Sequence, residues 1–345
     1  MGRKPTGRPT SFDIAFRAGV SQPTVSRALR GDKSVSAATR ERIERIAREL
    51  NYAVDRNASS LRSQRSDTIA LLFFEDPTPD ESMINPFFLA MLGSITRACA
   101  NHGLDLLISY QRMEDDWHVK YQDSKRADGL ILLGYGDYTL YAARLAELVK
   151  SGTHFARWGS VSNDASGATI GSDNLGAGRL VAEHLVASGR RKVAFLGHAD
   201  DHYPEFEHRF NGLCEGLEAA GVGADRSLQR DAITTQEAGH AAARDLIESG
   251  ASFDAIFAGS DLIAIGALRA LAEAGLRVPE DVAVVGFDDI PAASLASPPL
   301  TTIQQDTRGA GERLVETLLA QIEGTELPPT RLPTRLIVRG STAAA

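Results

Sequence analysis

Beyond Ser66, short apolar runs alternate with longer amphipathic stretches, and this alternation restricts the fold more than any other feature of the sequence. The runs at 69–74, 104–109, 129–133, 154–158, 192–196, 255–258 and 282–287 read as strands buried on both faces. Between them, 87–101, 175–187, 210–220, 238–248, 263–274 and 309–323 repeat apolar residues with helical spacing. Strand and helix in strict succession give parallel sheets covered by helices. The series is too long for one open sheet. Its polar interruption at 161–168, VSNDASGA, predicts two lobes with a crevice between them.

The residues before this region follow another pattern. Thr10 and Asp13 form a capping-box start, and Phe12, Ile14, Ala15 and Ala18 carry a first helix to Gly19. Gly19-Val20-Ser21 is a turn. Ser21 is the expected N-cap of a second helix at 22–29, where Pro23 is tolerated because first-turn amides have no intrahelical partner. Gly31 ends it, and a third helix begins near Ser36 with Ile43, Ile46, Ala47 and Leu50 on one stripe. In this spacing Ala15 and Ala28 allow two helices to cross closely, Gly19 supplies a positive φ, and Val25 fills the small core. The segment 53–66 is polar and basic, too weakly amphipathic to fold alone. The expected divisions are a head at 1–52, a linker at 53–66 and a body at 67–345.

Charge separates the same parts. The formal net charge is −8, but residues 1–66 hold 14 Lys/Arg against 6 Asp/Glu, leaving 23 against 39 in the rest. A basic head on an acidic body attracts a phosphate backbone through the head alone. No apolar run approaches the roughly 20 residues of a spanning helix, and no hydrophobic core follows the basic N-terminus, so the expected location is the cytoplasm, without a membrane partner. Cys99 and Cys214 provide neither a zinc spacing nor a disulfide framework and read as small core residues.

The stretch TSFDIAFRAGVSQPTVSRAL, followed by RERIERIARELNY and the linker, resembles the DNA-binding end of the lactose-repressor and galactose-repressor family. The resemblance implies a helix-turn-helix in which Gln22, Pro23 and Arg27 face the major groove while Ser21, Thr24 and Ser26, with Thr10, meet the backbone. Arg27 suits a bidentate contact with guanine, Gln22 suits adenine, and Pro23 offers only apolar contact. It further implies a hinge helix that folds when two copies meet on a palindromic double-stranded operator, with Asn57, Ala58 and Leu61 at the minor groove. Here the chain departs from the family: Val54-Asp55 replaces the usual Pro-Asn, and Ser59 a frequent Arg.

The resemblance continues through NPFF at 85–88, SDN at 172–174, RFNG at 209–212, GSDLIAIGAL at 259–268, VPEDVAVVGFDD at 278–289 and PPLTTIQQ at 298–305. It implies a periplasmic-binding-protein-like body of two lobes, a homodimer, and a small sugar-like effector in the cleft. Arg209 and Asp288 fall near strand ends or helix starts, where such sheets bind ligands, and their hydrogen-bonding capacity suits vicinal hydroxyls. Phe87, Trp158 and Tyr203 are candidate flat walls, Ser260 a candidate hydroxyl contact, and Asp261 an N-cap.

Two other classes fit less well. For an enzyme, Gly176-Ala177-Gly178 opens a helix after a strand, but Val181 replaces the third glycine of a dinucleotide fingerprint. There is no Gly-x-Ser-x-Gly elbow or Walker loop, and Asp200-Asp201-His202 reads as an exposed loop. No catalytic residue, metal or cofactor is assigned. A transport receptor would match the body but not the basic head.

Overall fold

The computed structural model describes residues 9–29, 31–52, 65–74, 84–112, 115–134, 137–161 and 168–342. The chain divides into two compact units, Met1–Ser66 and Asp67–Ala345.

The first unit holds α1 (Ser11–Ala18), α2 (Gln22–Leu29) and α3 (Ala37–Glu49). Thr10 and Asp13 close a full capping box on α1, and Gly19 ends that helix at φ 63°, a conformation any β-carbon would strain. Ile14, Ala15, Ala18, Val25, Ala28, Ile43, Ile46 and Ala47 form its core. Their apolar spacing alone fixes which face of each helix remains outside.

The second unit has two lobes. In the first, β1 (Thr68–Phe73), β2 (Asp105–Tyr110), β3 (Gly129–Leu133), β4 (Phe155–Trp158) and β5 (Ala168–Ser172) join β11 (Thr330–Leu332) in the order β11-β5-β4-β3-β1-β2, all parallel. Its helices are α4 (Pro86–Asn101), α5 (Tyr138–Lys150) and α11 (Thr307–Ile322). In the second, β6 (Val193–Leu196), β7 (Gln229–Arg230), β8 (Ala255–Ala258), β9 (Ala283–Asp288) and β10 (Thr301–Gln305) join β12 (Thr334–Ile337) in the order β12-β10-β9-β8-β6-β7. Only the β10–β12 pairing is antiparallel. Around this sheet lie α6 (Asn174–Ala187), α7 (Pro204–Ala219), α8 (Gln236–Glu248), α9 (Asp261–Glu273) and the short α10 (Pro291–Leu295). Cys99 and Cys214 are buried, and burial pushes the Cys99 thiol up to about 11.

One expectation requires correction. The lobes do not divide at 161–168: β5 begins at Ala168 and still pairs with β4, so that polar stretch is a connection within one lobe. The chain crosses at 172–174, returns at 305–307 and crosses again at 332–334, a threefold passage that a linear scan for one break cannot find. Helix α5 has its N-cap at Asp137, whose side chain accepts from the Thr139 amide.

Helices α6 and α7 cross with almost no space between them. A β-carbon on Gly178 would stand 2.2 Å from the Arg209 carbonyl oxygen and 2.6 Å from the Leu213 nitrogen. That contact fixes the turn of α7 from which Arg209 projects.

Candidate functional site

In the head, Val25 and Ala28 are buried, which turns Ser21, Pro23 and Arg27 outward and leaves Gln22, Thr24 and Ser26 half-buried. Several of these side chains are already oriented. The Ser21 and Thr24 hydroxyls lie 2.9 Å apart, Arg27 Nε donates to the Pro23 carbonyl at 3.4 Å, and Gln22 Nε2 donates to Ser11 Oγ at 3.2 Å. Thr10 is exposed but engaged with Asp13, to whose carboxylate its amide and hydroxyl donate at 2.8 and 2.7 Å. These bonds hold the Asp13 carboxyl below its ordinary range. Asn57, Ala58 and Leu61 lie outside the described residues.

In the body, each sheet reverses its strand order at one point, and a cluster of polar side chains gathers at the carboxyl end of each reversal, where open α/β sheets bind ligands. In the second lobe the cluster centres on Arg209, fully buried on α7. Its Nε donates to Asn174 Oδ1 at 2.9 Å and its Nη1 to the Gly259 carbonyl, while its guanidinium lies 3.6 Å from the Phe287 ring centroid and 5.0 Å from that of Phe206. Asp288, the last residue of β9, accepts from Gln305 Nε2 at 2.6 Å, and Gln305 Oε1 accepts from Ser172 Oγ at 2.6 Å. One chain of hydrogen bonds thus links Asp288 to two of the three lobe crossings.

Burial pushes the Asp288 carboxyl up to about 7, against the opposing pull of Arg209 and the Gln305 hydrogen bond. Asp261 rises well above the carboxylate range, through burial first and the neighbouring Asp288 second. Asp288 and Asp289 also sit at φ 120° and 57°, positions that cost a non-glycine residue on the order of 1–3 kcal/mol and cluster where function demands them. Asp289 is anchored by Arg339 Nη2 at 2.6 Å and Gln304 Nε2 at 2.7 Å, which leaves Asp288 directed inward.

The raised Asp288 group gives stability a definite pH dependence. Between its ordinary value of 3.8 and about 7 the folded chain keeps a proton that the unfolded chain has released, so raising the pH through this interval removes stability, with the loss complete above about 7. Asp288→Asn is therefore expected to gain on the unsubstituted protein as pH rises from 5 to 8, by on the order of a few kcal/mol. Thermal melts across that range check this; parallel pH profiles would refute it.

At the first lobe's reversal, Phe74, Gln111, Gly134, Tyr138, Tyr141, Arg157 and Trp158, with Glu205 from the other lobe, line a small pocket. Trp158 packs on Phe87 with ring centroids 5.9 Å apart. Tyr203 stacks on His198 at 4.6 Å and lies 6.3 Å from Phe206. The lobes also meet beside this pocket: the Ser160 amide donates to Glu205 Oε1 at 2.7 Å, and His202 Nδ1 stands 2.8 Å from Asp137 Oδ2. That pairing raises the His202 imidazole above its ordinary range. Burial of Asp137 is outweighed by hydrogen bonds from Thr139 and His202, which hold it at about 2.

Of the expected cleft residues, Arg209 and Asp288 meet in one network, Phe87 joins Trp158, and Tyr203 leans on the Phe206 ring beside Arg209. Ser260 and Asp261 differ from expectation. Ser260 is the N-cap of α9: it is fully buried in an extended conformation, its hydroxyl accepting from the Ile263 amide at 3.3 Å. Asp261 is the first helical residue, accepting from the Ile290 amide at 2.8 Å and Thr302 Oγ1 at 2.5 Å. Asn174, Gln305, Gln111, Arg157 and Glu205 were not singled out from the sequence. The legible signal was Arg157, a charged residue inside the apolar run FARW.

The family described as bacterial regulatory proteins, lacI family, matches residues 12–55, and the periplasmic binding protein-like domain matches residues 182–342. The chain is 34% identical over 338 residues to the HTH-type transcriptional regulator CelR of Thermobifida fusca, spanning 97% of this chain and 98% of that one. It is 30% identical over 339 residues to the ribose operon repressor of Escherichia coli (strain K12), spanning 96% and 99%. Among solved structures, the lac repressor dimer bound to operator and the anti-inducer ONPF aligns with a TM-score of 0.81 at 28% identity, over 98% of this chain and 100% of that one. The CelR–cellobiose complex aligns at 0.72 and 32% identity, over 97% and 100%. With a helix-turn-helix head and a two-lobed body matched along nearly their whole length, the chain belongs to the LacI family of bacterial regulatory proteins.

Proposed function

We propose that this chain is a sequence-specific transcription regulator of the cytoplasm, acting as a homodimeric repressor on a palindromic operator and switched by a small sugar-like effector between its lobes. Residues 1–52 read DNA, 53–66 form the hinge, and 67–345 bind effector and dimerise. Arg27, Gln22 and Pro23 face base edges, Ser21, Thr24, Ser26 and Thr10 meet phosphates, and Asn57, Ala58 and Leu61 act at the minor groove. Arg209 and Asp288 hold effector hydroxyls, with Phe87, Trp158 and Tyr203 as walls.

The observation that carries this reading is the conjunction of an outward-facing α2 with a buried Arg209–Asp288 network tied to the lobe crossings. Filling the cleft changes the balance between two lobe arrangements, and operator affinity changes by the ligand's differential binding energy. The relatives are regulators rather than enzymes, and no helix among the described residues is long and apolar enough to cross a membrane.

Operator affinity measured by fluorescence anisotropy on the chain's own promoter DNA, with and without mono- and disaccharides, tests the proposal. A sugar at a hundred times its dissociation constant should also stabilise the protein by about 2.7 kcal/mol. Absence of sequence preference on that DNA would remove the regulator reading. Operator affinity indifferent to every cleft ligand would remove the switch.

A further inference from the structure

Arg157 is the anomaly of the cleft. It lies on β4 at 3% exposure, and a guanidinium remains charged wherever it is placed. Buried charges are ordinarily paired and fully hydrogen-bonded. Arg209, the comparable residue in the other lobe, meets this requirement through Asn174, Gly259 and Asp288. Arg157 does not. Its Nε is buried without a partner, Nη2 has one long bond of 3.5 Å to the Ser160 carbonyl, and it makes no ion pair among the described residues. Its remaining neighbours are the Tyr138 ring, 5.4 Å from the guanidinium carbon, and the Glu205 carboxylate, which with Arg157 Nη1 flanks Gly159 beyond ion-pair distance.

This cation lines the pocket at the strand-order reversal of its sheet, beside the aromatic side chains of Phe74, Tyr138 and Tyr141. A second buried group there is incompletely satisfied: Gln111 donates through Nε2 to the Leu72 and Leu133 carbonyls and lies against the Tyr141 hydroxyl, but its Oε1 makes no full hydrogen bond. Glu205 reaches the pocket from the other lobe, one carboxylate oxygen occupied by the Ser160 amide. The pocket therefore holds an incompletely hydrogen-bonded guanidinium and two acceptors.

We infer that the effector is a sugar derivative carrying an anionic group, a carboxylate or a phosphate, which pairs with Arg157 while its hydroxyls donate to Gln111 Oε1 and Glu205. A bidentate oxyanion completes the guanidinium fork in a way that neutral hydroxyls do not. Glu205 restricts the pose, because the ligand's charged end must lie on the side of Arg157 away from that carboxylate and its hydroxyls toward it. The inference rests on the cleft being the effector site. A neutral polyol bridging Arg157 and Glu205 is the competing occupant.

The test is a thermal-shift comparison of the full chain with Arg157→Met and Arg157→Lys, each alone and with D-glucose, D-glucuronate or glucose 6-phosphate. Without ligand, Arg157→Met should melt about 2–4 °C higher, because a buried charge with an incomplete set of hydrogen bonds has been replaced by an apolar chain of similar length. The unsubstituted protein should be stabilised by glucuronate or by the phosphate, whichever anion is recognised, and not by glucose at equal concentration. Arg157→Met should lose this response, and Arg157→Lys should keep only part of it. An unliganded Arg157→Met protein melting several degrees lower would make Arg157 a structural residue and overturn the inference, even if no ligand shifted any of the three proteins. Equal stabilisation of unsubstituted and Met proteins by glucose would also overturn it, while leaving a sugar-controlled regulator intact.

Discussion

Arg209→Met is expected to destabilise the body by about 3–5 kcal/mol at pH 8, as measured by denaturant unfolding. Removing one partner from a buried charged network costs far more than the network contributes net, because the remaining charges stay desolvated. Here the remainder is Asp288, with Asp261 behind it, together with the Asn174 oxygen and Gly259 carbonyl that Arg209 now satisfies. The cost should shrink at pH 5. Arg209 pulls the Asp288 carboxyl down against burial, and without it Asp288 holds its proton more firmly, so acid removes much of the penalty. A loss below about 1 kcal/mol at both pH values would mean that Arg209 carries no buried charge network.

For the head, Arg27→Ala is expected to weaken operator binding by about 5- to 150-fold, the range of one good bidentate base contact at about 1–3 kcal/mol. Arg27 is exposed on α2 and, among the described residues, bound only through Nε to the Pro23 carbonyl at 3.4 Å, so its remaining donors can be redirected. The loss should be specific. Affinity for non-operator duplex should change far less, and replacing the contacted base pair should cost the Ala protein little more. A uniform loss on every sequence, with a salt slope lower by about one, would make Arg27 a phosphate contact instead.

The head was legible because its local signals agree. The capping box, the Gly19 turn and the positions of Ala15, Val25 and Ala28 all appear in the structure where their spacing puts them. The long central strands and their helices were equally readable, since parallel strands buried on both faces are continuous apolar runs. The peripheral strands were not. β5 reads ATIGS and β10 reads TTIQQ, too polar to stand out, because their outer residues serve the lobe crossings: Ser172 and Gln305 bond to each other. β11 and β12 contain arginines and have three and four residues. In the cleft, Arg209 and Asp288 could be named from motifs. Arg157 stands out only as a charge within an apolar run, and Gln111 and Glu205 not at all, because the three are far apart in sequence and acquire meaning only when the fold brings them to one pocket.

The placement of β11 and β12 bears on how the chain can be made. These strands, separated by Pro333 alone, form the outer members of the two different sheets, and the segment behind them is stitched in by Ser341, whose hydroxyl donates to the Val284 carbonyl and accepts from the Thr301 amide. At about 5–20 residues per second, a ribosome will have delivered the other strands of the described residues before it delivers these. Neither half of the body can reach its final form and wait for the other; both must close together, after residues 330–337 have emerged.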